Sequence, residues 1–124
     1  MKIQESAENY LETILMLGQK LGNVRSIDIA HELEFKKPSV SVAMKNLREN
    51  GYIQVSDNGF ITLTPTGRKI AETMYERHLL FSRWLIKLGV NEKTAVEDAC
   101  KMEHVLSAES FEAIKTHLHD FLGE

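Results

Sequence analysis

The sequence predicts a mostly α-helical chain with one β-hairpin, in which an N-terminal winged helix-turn-helix is followed by three further helices. Three observations carry this expectation. Apolar residues recur at helical spacing through most of the 124 residues. One segment alone, Tyr52 to Thr64, reads as two β-rich runs around the turn formers Asp57-Asn58-Gly59. Helix starts and stops punctuate the rest at Pro38, Gly51, Pro65, Gly89, Asn91 and Ser107.

The first helix is expected over residues 6–21, with Ser6 as N-cap and Tyr10, Leu11, Ile14, Leu15, Leu17 and Leu21 as its apolar side. Ser26 is expected to cap a second, short helix from Ile27 to about Glu34. After the tight connection Phe35-Lys-Lys-Pro-Ser, a third helix has Pro38 in its first turn, where the missing N–H costs nothing, and runs to about Asn50 with Gly51 as its C′ residue. The hairpin follows. Pro65 then opens a long helix to about Leu88, stopped by Gly89. Asn91 caps a helix carrying Cys100, Glu103 and His104, and Ser107 caps the last, ending near Gly123.

Composition bounds the function. With 43% hydrophobic residues the chain can fold without staples, and its single cysteine removes any intrachain disulfide framework and fits a reducing compartment. Met1-Lys-Ile-Gln-Glu opens no signal segment and no apolar run approaches a membrane span, so a cytoplasmic protein with no membrane partner is expected.

A net charge of −3 argues against the whole molecule as a basic nucleic-acid binder, yet Lys36, Lys37, Lys45 and Arg48 against Glu49 leave a local +3 between Lys36 and Gly51. That reversal lies on the second helix of a helix-turn-helix pair, the element that enters a DNA major groove in this architecture. Lys36, Lys37 and Lys45 suit phosphates, while Ser39, Ser41 and Val42 suit base edges. Ser26, Pro38 and Asn58 complete the expected DNA-contacting set. A solvated basic face is the plain alternative, and the wing argues against it.

Cys100-Lys-Met-Glu103-His104 places a thiol, a carboxylate and an imidazole within one helical turn, three and four residues apart on one face. Together they suit a divalent transition metal rather than magnesium or calcium, which take oxygen shells. The same residues also fit a small apolar cysteine beside an ordinary Glu-His pair, and spacing leaves both readings open.

Four segments now carry a resemblance: Ser6-Ala-Glu-Asn-Tyr-Leu-Glu-Thr-Ile, Leu63-Thr-Pro-Thr-Gly-Arg68, His78 in the long helix, and Asp98-Ala-Cys-Lys-Met-Glu-His-Val-Leu-Ser107. In that order they resemble the diphtheria-toxin-repressor and manganese-transport-regulator family of metal-dependent repressors, over nearly the whole chain. The resemblance implies a DNA-binding domain over residues 1–71 and a helical metal-binding and dimerisation domain over residues 72–124, without the SH3-like domain of longer relatives. It implies metal ligands at Asn9, Glu12, His78, Cys100, Glu103 and His104. Spacing agrees in that Asn9 and Glu12 share a helical face, although a solvated Glu12 and a core His78 are their ordinary readings.

The donor pattern is a hybrid. The manganese branch has carboxylates where this chain has Asn9 and Cys100, and the iron branch has a methionine at Asn9. Ser82 and Val96 stand where the iron branch's ancillary site needs a carboxylate and an imidazole. Cys100 adds a soft donor, so iron(II) is expected over manganese(II), with cobalt, nickel or zinc able to substitute.

The apolar residues after the wing exceed what three helices can hide, so a homodimer is expected with Trp84, Leu85, Phe111, Ile114 and Leu118 at its interface, bound to palindromic operator DNA. Their alternative is the core of a single chain. The implied function is a metal-activated repressor of metal-homeostasis genes, with no small-molecule substrate and no catalysis. A metal-independent or thiol-redox winged-helix regulator keeps the DNA chemistry. A hydrolase built on Cys100 and His104 lacks an orienting group and an oxyanion donor.

Overall fold

A computed structural model describes residues 5–123. The expectation of an N-terminus free of a signal segment falls on residues 1–4, outside those described. The elements are α1 (Glu5–Leu21), α2 (Ser26–Leu33), α3 (Lys37–Glu49), β1 (Ile53–Val55), β2 (Ile61–Leu63), α4 (Pro65–Lys87), α5 (Glu92–Met102) and α6 (Ala108–Phe121). The chain divides into two compact units, one ending at Thr73 and the next beginning at Met74, against the boundary expected after residue 71. Among the described residues no helix is long and apolar enough to cross a membrane.

In the first unit α1 packs on α2 and β2, and α3 on α2 and β1. Leu11, Ile14, Leu15, Val24, Ile29, Val40, Met44, Leu47, Ile53 and Ile61 are buried in it. Val40, Met44 and Leu47 recur at the spacing that puts one stripe of α3 inward. β1 and β2 pair antiparallel with Ile53 opposite Leu63 and Val55 opposite Ile61, and Val24 adds a bridge to Ile61. The hairpin turn closes on Gly59, whose φ of 83° only glycine adopts without strain, as its N–H donates to the Ser56 carbonyl. This is a winged helix-turn-helix.

Two expected caps are corrected. Ser6 lies inside α1, which already includes Glu5. Ser26 is the first residue of α2 and not its cap: the Asp28 carboxylate accepts from the Arg25 N–H at 2.9 Å, which moves the boundary one residue earlier. The helix ends at Leu33 because Glu34 turns left-handed, φ 57°.

The Leu63-to-Arg68 segment fastens the wing to α3. Thr64 Oγ1 donates to the Gly51 carbonyl at 2.7 Å and accepts from the Gly67 N–H at 3.2 Å, so one hydroxyl ties the end of α3 to the start of α4. Gly67 admits no side chain: a Cβ there would lie 2.0 Å from the Tyr52 carbonyl oxygen.

The second unit is built on Leu80, Phe81, Ala99, Phe111 and Leu118, with Trp84, Met102, Leu106, Ile114 and Leu122 packed against them. Phe81 and Phe111 meet edge to face, centroids 5.9 Å apart. Phe111 and Leu118, expected at a dimer interface, are instead buried within the chain's own core, because the 111-118 stripe of α6 faces inward. Trp84, Leu85 and Ile114 are half-buried. Asn91 caps α5 by accepting from the Lys93 N–H at 3.0 Å, and Ser107 caps α6 by accepting from the Ser110 N–H at 3.1 Å.

Candidate metal centre and nucleic-acid interface

α5 ends at Met102, one residue before the expected ligand pair, so Cys100, Glu103 and His104 do not share a helical face as the sequence suggests. Glu103 is the C-cap and keeps right-handed angles, φ −65° and ψ −21°, which preserves the one-turn relation between Cys100 and Glu103. His104 belongs to the turn that follows. Its Nε2 still lies 3.3 Å from Glu103 Oε1, and donor atoms of Cys100, Glu103 and His104 all fall within 4.8 Å of one another.

Glu103 is fully buried, and its other oxygen, Oε2, lies 3.2 Å from Nδ1 of His78 on α4. A carboxylate without solvent is costly unless positive charge offsets it. Protonated imidazole offers that charge, and so does a cation held by the same atoms. The donor set therefore fits a divalent transition metal: one thiol, one carboxylate and one imidazole with their donor atoms within 4.8 Å of one another, and a second imidazole on the far carboxylate oxygen. Cys100 is half-buried.

Asn9 and Glu12 sit one turn apart on α1. Glu12 is buried with only 3% of its surface exposed, which sets aside the plain reading of a solvated carboxylate; Asn9 is half-buried. Ser82 Oγ donates to the carbonyl oxygens of His78 and Leu79, engaged with its own helix, and Val96 is exposed.

On the first unit, Lys36, Lys37, Pro38, Ser39, Ser41, Val42 and Lys45 are exposed along the outer face of α3, with Asn58 at the hairpin turn and Ser26 half-buried. Val42 is 61% exposed, an apolar side chain left in water on a helix whose other valine is buried. A cleft of about 250 Å³ lies between this face and the wing, lined by Ser26, Ser41, Lys45, Arg48, Val55 and Gly59. In the sequence Arg48 registers only as charge, although its place one turn after Lys45 marks the same face. Arg25 escapes sequence reasoning altogether. Its guanidinium lies 4.6 Å over the Phe60 ring, joining the start of α2 to the wing, and no local pattern announces a contact across that sequence distance.

A winged helix with an exposed basic helix in one unit and a thiol-carboxylate-imidazole cluster in the other define the class of metal-responsive DNA-binding regulators. Residues 2–59 match the N-terminal DNA-binding domain of iron-dependent repressors, and residues 64–122 match their metal-binding and dimerisation domain. The transcriptional regulator MntR of Salmonella typhimurium is 36% identical over 110 residues, covering 89% of this chain and 70% of that protein. An uncharacterised HTH-type transcriptional regulator of Methanocaldococcus jannaschii, MJ0568, is 34% identical over 121 residues, 96% of this chain and 97% of its own. Among solved structures, a manganese-dependent transcriptional repressor in complex with manganese superposes with a TM-score of 0.81 at 26% identity, over 90% of this chain and 52% of that one. The chain thus spans about half the length of such solved relatives. It belongs to the iron-dependent repressor family, a family of metal-dependent transcriptional regulators rather than enzymes.

Proposed function

We propose that this protein represses metal-homeostasis genes by binding operator DNA as a homodimer when Cys100, Glu103 and His104 hold a divalent transition metal. The observation that carries this reading is the fully buried Glu103 carboxylate placed between two imidazoles and beside a thiol. When bound, the cation supplies the positive charge that makes burial of thiolate and carboxylate favourable.

Asn9 and Glu12 are proposed as further donors from α1, and His78 as a donor to a second metal with Glu103 shared. On this reading metal occupancy favours the DNA-competent arrangement without touching DNA. Coupling of this kind is reciprocal, so operator DNA tightens metal binding by the same factor. Lys36, Lys37, Lys45 and Arg48 take the phosphates; Ser39, Ser41 and Val42 meet base edges of a palindromic site.

The soft thiol at Cys100 supports iron(II); the manganese in the related repressor complex supports manganese(II). We favour iron(II) on the donor set. An anaerobic operator-binding titration with iron(II), manganese(II), zinc(II) and chelated protein tests the proposal. Equal operator affinity in all four would reduce the chain to a metal-independent winged-helix regulator.

A further inference from the structure

Arg77 is a buried arginine, 5% exposed, one residue before His78 on α4. A guanidinium taken out of water is costly unless its donors are met. Arg77 Nη1 donates to the carbonyl oxygen of Glu103 at 3.0 Å and to that of Leu106 at 2.7 Å. Its guanidinium carbon also lies 5.1 Å from the centroid of the Phe111 ring, which anchors the charge against α6.

The two carbonyls bracket the turn between α5 and α6. Carbonyl groups at a helix C-terminus have no intrahelical partner, and a cationic side chain commonly supplies one. Here the turn so held contains Glu103 and His104. Arg77 grips the backbone of Glu103, while the Glu103 side chain reaches His78 and His104. A buried arginine beside a buried glutamate would ordinarily take the carboxylate in a bidentate pair and consume its lone pairs. Directing the guanidinium to the main chain keeps the carboxylate oriented towards the imidazoles.

We infer that Arg77 is a positioning residue for the metal centre: it holds the Glu103–Leu106 turn so that the Cys100, Glu103 and His104 donors converge before any metal arrives. This rests on the metal site proposed above. It predicts that losing the grip weakens metal binding far more than it weakens the fold, because scattered donors must be gathered at the moment of binding. Partners that orient metal ligands without touching the metal typically matter by about 10–100-fold in affinity.

The test is anaerobic cobalt(II) titration of the whole chain, read by its thiolate-to-metal absorption and ligand-field bands, for wild type, Arg77→Met, Arg77→Lys and Leu118→Ala. Arg77→Met keeps an apolar stem and loses the donors; it should bind cobalt(II) at least about 10-fold more weakly, with altered ligand-field bands. Arg77→Lys should recover part of the affinity, since an ammonium can still donate to a carbonyl. Leu118→Ala loosens the same core away from Arg77 and should lower the melting temperature while leaving the cobalt spectrum as in wild type. Arg77→Met and Arg77→Lys titrations that both match wild type would make Arg77 a purely structural residue and overturn the inference. If Arg77→Met does not fold, Arg77→Lys is read by the same criterion, and failure of both to fold would equally overturn it. Absence of cobalt uptake by wild type would instead remove the proposed metal site itself.

Discussion

Glu103 Oε2 lies 3.2 Å from His78 Nδ1, joining the turn after α5 to the long helix α4 at a position with no solvent on the carboxylate. With His104 Nε2 at 3.3 Å from its other oxygen, Glu103 is the acid through which the imidazoles of His78 and His104 meet. Replacing it with alanine deletes the central donor and a buried charge together. Glu103→Ala should bring operator affinity in the presence of metal down to the value for chelated protein. Its apo melting temperature should stay within a few degrees of wild type, since the desolvation cost of the carboxylate disappears with its contacts. Fluorescence anisotropy on labelled operator and thermal melts check both halves. A variant still activated by metal would move the site away from Glu103.

On the outer side of α3 and its N-cap, Lys36, Lys37 and Lys45 are exposed, placed to meet solvent or phosphate. Removing a lysine that neutralises a phosphate should weaken binding similarly for specific and nonspecific DNA and lower the salt slope by about 1. Operator titrations of Lys45→Ala and of Lys36→Ala/Lys37→Ala at several salt concentrations measure it. Unchanged slopes would place the DNA surface elsewhere.

Periodicity and punctuation make most of the fold legible, because apolar stripes such as Val40, Met44 and Leu47 and caps such as Asn91 and Ser107 act over a few residues. The centre is legible in sequence as a donor set but not in its local geometry. His104 reaches Glu103 from a turn, and what shapes that turn is Arg77, twenty-six residues before Glu103. Phe111 and Leu118 read as interface from sequence because an apolar residue looks the same whether a neighbouring helix or a second chain covers it. Arg25 on Phe60 and Gly67 under Tyr52 are likewise long-range encounters that no spacing rule encodes.

Gly67 gives a test of that last encounter. A Cβ 2.0 Å from the Tyr52 carbonyl oxygen cannot be accommodated without moving backbone, so Gly67→Ala should cost roughly 1–3 kcal/mol, the range for overpacking a filled site. Urea denaturation with an unchanged m-value would assign the loss to the folded state. A variant as stable as wild type would mean that the start of α4 yields easily.

Assembly can be tested on residues the core leaves uncovered. Leu79 and Ile86, seven apart on α4, are 42% and 43% exposed, and Phe121 on α6 is 43% exposed. If they face a second copy, chelated protein should sediment as a dimer at micromolar concentration, since apolar burial needs no metal. Leu79→Glu/Ile86→Glu should then sediment as a monomer with its helical content retained. A wild-type monomer that dimerises only on adding metal would make metal the builder of the interface.

The part Cys100 plays in metal choice can be tested. It is the softest donor of the cluster, half-buried, one turn before Glu103. Cys100→Asp replaces a polarisable thiolate with a hard carboxylate, which should shift relative activation of operator binding away from iron, cobalt and zinc and towards manganese, whatever happens to absolute affinity. The useful quantity is therefore the ratio of operator affinities with iron(II) and with manganese(II), compared between wild type and variant. Measurement must be anaerobic, because an accessible thiolate oxidises to sulfenic acid and would mimic loss of a ligand. Glu12→Gln and His78→Ala serve as controls: if a second metal is bound, they should lower stoichiometry and leave this ratio near its wild-type value. A ratio that does not move in Cys100→Asp would take the thiol out of the metal's coordination, and the preference for iron over manganese would go with it.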